Sequence, residues 1–119
     1  MTGVVDSRGT PVVRLPIAGQ EWTAVIDTGF DGFVLIPAVL ASEFKSRLLG
    51  DAELTLSGGQ IVRQKMFALD FPFDGEVIPV RAFFGPVQEL QIGTQLLAPY
   101  RLEINFVART VLLEKVVTV

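Results

Sequence analysis

The tripeptide Asp27-Thr28-Gly29 sits between two apolar runs, Ala24-Val25-Ile26 before it and Phe33-Val34-Leu35-Ile36 after it. An ordinary surface turn has no need of near-continuous hydrophobic residues on both sides. The pattern therefore sets one carboxylate on a tight turn between two buried strands. One carboxylate by itself is a weak catalytic unit, and nothing else in the 119 residues repeats the motif. The simplest source of a second carboxylate is a second copy of the same chain.

The composition removes most rival chemistries. The chain has no histidine and no cysteine. A Ser-His-Asp triad, a Cys-His pair, a Cys/His zinc site and a disulfide framework are all excluded. Carboxylates remain as the acid and base groups near neutral pH, apart from a strongly shifted Lys45, Lys65 or Lys115. The formal charge is −3, and the seven arginines are scattered from Arg8 to Arg109 rather than clustered. No nucleic-acid partner is expected. The longest mostly apolar stretch, Phe33 to Ala41, is far below the roughly 20 residues that span a bilayer, and no basic and apolar leader follows Met1. The chain as given is expected to be cytoplasmic and to have no membrane partner; an anchor or leader outside it would leave no trace in it. Half of its residues are hydrophobic, with a mean hydropathy of +0.48. Some apolar surface is expected to meet a partner.

By length this is one domain, residues 1–119. Strand signals dominate: Val12 to Ile17, Glu21 to Ile26, Phe33 to Ile36, Glu53 to Leu56, Ile61 to Phe71, Glu76 to Phe84, Arg101 to Phe106 and Thr110 to Val119. Alternation is clearest where Leu102, Ile104 and Phe106 interleave with Arg101, Glu103 and Asn105. Ala18-Gly19-Gln20, Ser57-Gly58-Gly59, Asp74-Gly75 and Val107-Ala108-Arg109 read as hairpin connections. Two segments read as helix. Pro37 to Lys45 opens on a proline suited to a first turn and sets Leu40 and Phe44 on one face, and Thr94 to Leu97 has Thr94 as a possible cap. Val13 to Leu40 and Ala68 to Leu97 show a weak mutual echo of hairpin, strand, glycine and helix. The expectation is an all-β domain with one or two short helices.

The chain resembles the retropepsin-like aspartic proteases, the single-lobe retroviral and bacterial relatives of pepsin. The resemblance rests on Ala24 to Leu35, similar to that family's active-site strand and loop, and on Ile92-Gly93-Thr94-Gln95-Leu96-Leu97, similar to its later apolar-Gly segment and helix. It implies a single-lobe acid-protease fold and an aspartic endopeptidase acting as a homodimer on a peptide or protein substrate, with no cofactor and no metal. By position, Asp27 is then the catalytic aspartate, Thr28 the residue that locks two loops together, and Gly29 a substrate backbone acceptor. Asp31 matches an acidic residue that binds substrate main chain, and Val34 would line a side-chain pocket. The hairpin Glu53 to Arg63, tipped by Ser57, Gly58 and Gly59, lies where the family has its flap. Three departures stand out. Phe30 is bulky where relatives carry a small residue and is expected to border the substrate and narrow the cleft. Gly32 replaces a residue that is acidic in some members, and Gln91 interrupts the apolar pair before Gly93.

Two other readings compete. A retropepsin-fold module that binds or assembles around a peptide without cutting it is favoured by Phe30 and Gln91 and disfavoured by the intact Asp27-Thr28-Gly29. A Ser/Lys hydrolase built from Ser42 or Ser46 with Lys45 is weak, because neighbouring residues on a helix face different ways. For the chain ends, Met1 to Val5 and Thr110 to Val119, the favoured expectation is that they interleave with a second copy. The alternative is that the C-terminal strand completes the monomer's own sheet.

Overall fold

The computed structural model describes residues 1–55 and 58–117. Ten strands form one sheet: β1 (Thr2–Val5), β2 (Pro11–Ile17), β3 (Gln20–Ile26), β4 (Val34–Pro37), β5 (Arg47–Thr55), β6 (Ile61–Phe73), β7 (Glu76–Gly85), β8 (Leu90–Ile92), β9 (Tyr100–Asn105) and β10 (Thr110–Lys115). A 3-10 helix covers Ala38–Glu43, and α1 covers Thr94–Leu97. The fold is all-β with two short helices, as expected.

Sheet order explains the sequence echo. Strands run β5-β6-β7-β4-β8-β3-β2-β1-β10-β9. Exchanging β1 to β4 with β5 to β8 gives the order of those eight strands read from the other end. At the centre β4 and β8 pair antiparallel, while β4 pairs parallel with β7 and β3 pairs parallel with β8. Each half adds its helix after its last strand. The hairpins on either side use matching turns: Ala18-Gly19 joins β2 to β3 and Asp74-Gly75 joins β6 to β7. All four residues have positive φ, between 52° and 80°. That is the geometry a two-residue hairpin with right-handed strand twist requires.

The main core collects the inward positions of both halves, with Val13, Leu15, Ile36, Phe71, Leu90, Ile92 and Leu113 almost without exposure. A second cluster, Phe30, Leu35, Leu54 and Phe83, lies between the Asp27 loop and the β5-β6 hairpin, with Val62 and Met66 packed on it. At a turn between β1 and β2, Asp6 accepts from the backbone N–H groups of Arg8 and Thr10 and from the Arg8 guanidinium. The Thr10 N–H and then the Arg8 side chain hold its carboxyl below the usual carboxylate range. The turn's contribution is thus present above that range and is lost only as pH falls through the lowered value.

Several sequence expectations are corrected. Pro37 is extended (ψ 131°) and closes β4 opposite Gly85, so the helix starts at Ala38 and ends before Phe44. A proline φ suits an extended residue as well as a first helical turn. Phe44, beyond the helix, stacks on Phe71 at 6.2 Å. Thr94 is the first residue inside α1, and the cap position belongs to Gly93 with no side-chain capping bond. The ends of the chain pair with each other: β1 lies along β10, and Met1 and Leu113 exchange backbone bonds. β10 also pairs with β9, so Thr110 to Lys115 complete the monomer's own sheet rather than waiting for a partner. Leu56 and Ser57 of the expected hairpin, and Thr118 and Val119 of the expected last strand, lie outside the described residues.

Candidate active site

β3 delivers Asp27. Its inward residues Ala24 and Ile26 are buried, and its pairing with β8 continues one step further, where the Asp27 N–H donates to the Ile92 carbonyl at 2.9 Å. The chain then turns sharply, with the Phe30 N–H donating to the Asp27 carbonyl at 3.1 Å. Inside this turn the Gly29 N–H donates to Asp27 Oδ1 at 3.0 Å, which fixes the carboxylate's orientation. Asp27 is half-buried, and Thr28 and Gly29 are exposed. Among the described residues, no hydrogen bond reaches Asp27 Oδ2 or the Thr28 hydroxyl.

A second segment holds the loop from behind. The N–H groups of Gly93, Thr94 and Gln95 donate to the carbonyls of Phe33, Phe30 and Gly32 at 3.0, 2.9 and 3.1 Å. The free N–H groups that open α1 therefore close the Asp27 loop. Gln95 adds its side-chain Nε2, which donates to the Asp31 carbonyl at 2.8 Å. This approach is so close that a Cβ at Gly93 would stand 2.2 Å from the Gly32 oxygen and 2.7 Å from the Phe30 oxygen. Gly93→Ala is expected to destabilise the protein by about 3 kcal/mol. Gly29→Ala, whose nearest contact would be Asp27 Oδ1 at 3.3 Å, should cost much less. Denaturant unfolding of the two variants checks this, and equal stabilities would contradict it.

Phe30 does not border an open cleft. Its ring is buried, 6% exposed, in the second core cluster, and it folds over its own loop. A Cβ at Gly32 would meet it at 2.7 Å. Two departures noted in the sequence are thus one: the ring at position 30 occupies the space that a side chain at position 32 would need. Val34 is fully buried in the main core. Asp31 is exposed and lines a pocket of about 170 Å³ with Gly32, Phe33, Glu53, Arg81 and Gln95. Asp27, Thr28 and Gly29 do not line it. Gly58 and Gly59 stand beyond the β5-β6 ladder at positive φ, 95° and 84°. Ser57 lies outside the described residues. Gln91 is half-buried in β8, opposite Val25 and Leu35. Sequence reasoning missed Gln95 as a positioning residue, and it missed Glu53 and Arg81 beside Asp31. Only strand register places them there.

Comparison with solved structures places this architecture. A retropepsin-like aspartic protease from Rickettsia conorii superimposes with a TM-score of 0.67 over 95% of this chain and 88% of its own, at 13% identity. The chain has the retropepsin-like fold. A foamy viral protease-reverse transcriptase in complex with an RNA/DNA hybrid also matches, with a TM-score of 0.59, 18% identity and 79% of this chain covered. This chain spans only 13% of that polypeptide. No family model and no curated protein matches the chain. Among the described residues, no helix is long and apolar enough to cross a membrane.

Proposed function

We propose that residues 1–119 form one aspartic endopeptidase domain that hydrolyses peptide bonds as a homodimer, with the two Asp27 carboxylates facing each other across a two-fold axis. The observation that carries this reading is the Asp27 loop itself, a retropepsin-like turn tied from behind by Gly93 to Gln95 and open at Asp27 Oδ2 and Thr28. The ionised Asp27 takes a proton from a bridging water as the water attacks the peptide carbonyl. Its protonated partner donates to the developing oxyanion, and the proton then passes to the leaving nitrogen. Thr28 hydroxyls crossing the axis would hold the two loops at a fixed separation. The β5-β6 hairpin serves as the flap, bending at Gly58 and Gly59. Asp31 takes substrate main chain.

The second copy has an open edge to meet. β9 is the last strand of the sheet. The Val116 N–H donates to the Pro99 carbonyl, and with the β9-β10 register this points the backbone groups of Arg101, Glu103 and Asn105 toward β10. Those of Tyr100, Leu102 and Ile104 face outward, unpaired among the described residues. In an antiparallel pairing of two β9 edges centred on Leu102, Arg101 opposes the partner's Glu103 and Tyr100 opposes the partner's Ile104. Centring on Glu103 instead would set like charges opposite each other. Phe106 and Val107, 62% and 98% exposed, lie just beyond this edge.

Two carboxylates on one axis cannot both ionise cheaply and share one proton, the general behaviour of aspartic-protease dyads. Cleavage of a peptide library should therefore follow a bell-shaped pH profile, failing on the alkaline side as the second proton leaves. Activity that rises steadily into alkaline pH would contradict the mechanism.

A further inference from the structure

Strand register sets Arg47 of β5 and Arg81 of β7 directly opposite the same residue of β6, Ala68. Residues directly opposite share a face, so two guanidinium groups flank one small side chain at about 5 Å per strand step. Elsewhere on this hairpin each cation stands opposite a carboxylate in register, Lys65 opposite Asp51 and Arg63 opposite Glu53, although neither pair closes to ion-pair distance. The Arg47-Ala68-Arg81 row has no such match. It forms the floor of an open pocket of about 570 Å³, which Lys45, Ser46, Phe33, Asp70 and Pro79 also line. Three cations there face one carboxylate, in a chain whose formal charge is −3. Among the described residues, none of Lys45, Arg47 and Arg81 lies within ion-pair distance of a carboxylate. The Arg81 guanidinium instead lies over the Phe33 ring, 5.9 Å from its centroid.

Phe33 and Arg81 line this pocket and also the smaller one that holds Asp31. The two pockets therefore share a wall, Phe33 and Arg81, with Asp31 and Glu53 lining the smaller one and Lys45 and Arg47 the larger. We propose that this outer pocket is an exosite for acidic side chains of a peptide, with a Glu or Asp carboxylate seated over Ala68 between Arg47 and Arg81. Groups on both sides of the shared wall select a peptide over a small free anion: Asp31 and Glu53 can accept from peptide N–H groups while the arginines hold an acidic side chain. The proposal rests on the protease reading only for why a peptide would come to this face; its test does not need catalysis.

The test is fluorescence anisotropy on the Asp27→Asn variant, which leaves the peptide uncut. Two fluorescein-labelled peptides are compared, one alternating Glu with Ala and its twin with Gln for Glu. The acidic peptide should bind on the order of tenfold more tightly, and its affinity should fall with salt. Arg47→Gln and Arg81→Gln should each weaken it by about fivefold, the scale of one partly screened charge-assisted contact. Arg14→Gln, an exposed arginine outside the pocket, should leave it unchanged. Equal binding of the two peptides, an equal loss in Arg14→Gln, or displacement of the peptide by an equal concentration of inorganic phosphate would each overturn the exosite. Peptide cleavage by the wild type is scored separately, so an inactive protein that still prefers the acidic peptide sinks the protease reading and keeps the exosite.

Discussion

Asp27→Asn is expected to lower peptide cleavage by on the order of a thousandfold or more while leaving fold and assembly unchanged. The amide is nearly isosteric, and its carbonyl oxygen can still accept from the Gly29 N–H that donates to Oδ1 in the wild type. What it cannot do is ionise, so neither copy can activate a water. Asp27→Ala should be as inactive. Pepstatin-like statine inhibitors, whose hydroxyl stands in for the attacked carbonyl, should bind the wild type and lose affinity in either variant. A variant that cleaves a peptide library at the wild-type rate would end the aspartic-protease reading, whatever the fold.

Much of this architecture was legible in the residues because period-2 burial writes itself into them. Leu102 and Ile104 turn inward and Arg101 and Glu103 outward in β9, as their alternation requires. The two-residue turns were legible for a similar reason: Asp74-Gly75 supplies residues that tolerate positive φ. The first half of β5 was not legible. Arg47 to Gly50 bury no side chain, so the ladder to β6 is their main tie to the sheet. β8 is only three residues long, too short to show a period. Terminal strands posed a different problem. The apolar character of Met1 to Val5 and of Val111 to Leu113 says that they pair, but it does not say whether the partner belongs to the same chain.

The candidate site divides along the same line. Asp27, Thr28 and Gly29 stand out because a polar turn between hydrophobic strands is a local signal. Phe30 misled because the direction of its ring depends on the empty space at Gly32, a contact that composition does not reveal. Gln95 reaches the Asp31 carbonyl from a helix docked behind the loop, and Arg47 and Arg81 meet across Ala68 through sheet register; only the folded chain brings either set together.

The second large effect concerns assembly. In the proposed mechanism one Asp27-Thr28-Gly29 per chain supplies half a dyad, so an isolated subunit should be inactive and activity should track the dimer population. Leu102→Pro sharpens this expectation. The Leu102 N–H points away from β10, so a proline there removes no bond inside the chain but blocks the β9 edge. The variant gives up an inward-packed side chain and should fold with reduced stability; at temperatures where it is folded it should dissociate at concentrations where the wild type is paired, and lose activity in proportion.

The most direct measurement is specific activity across a thousandfold dilution, read beside sedimentation on the same samples. The shared site predicts that activity per chain falls as the dimer gives way to the monomer, with one midpoint for both. A protein that sediments as a monomer throughout, with undiminished activity per chain, would show that one copy cuts alone and that the two-fold site is wrong.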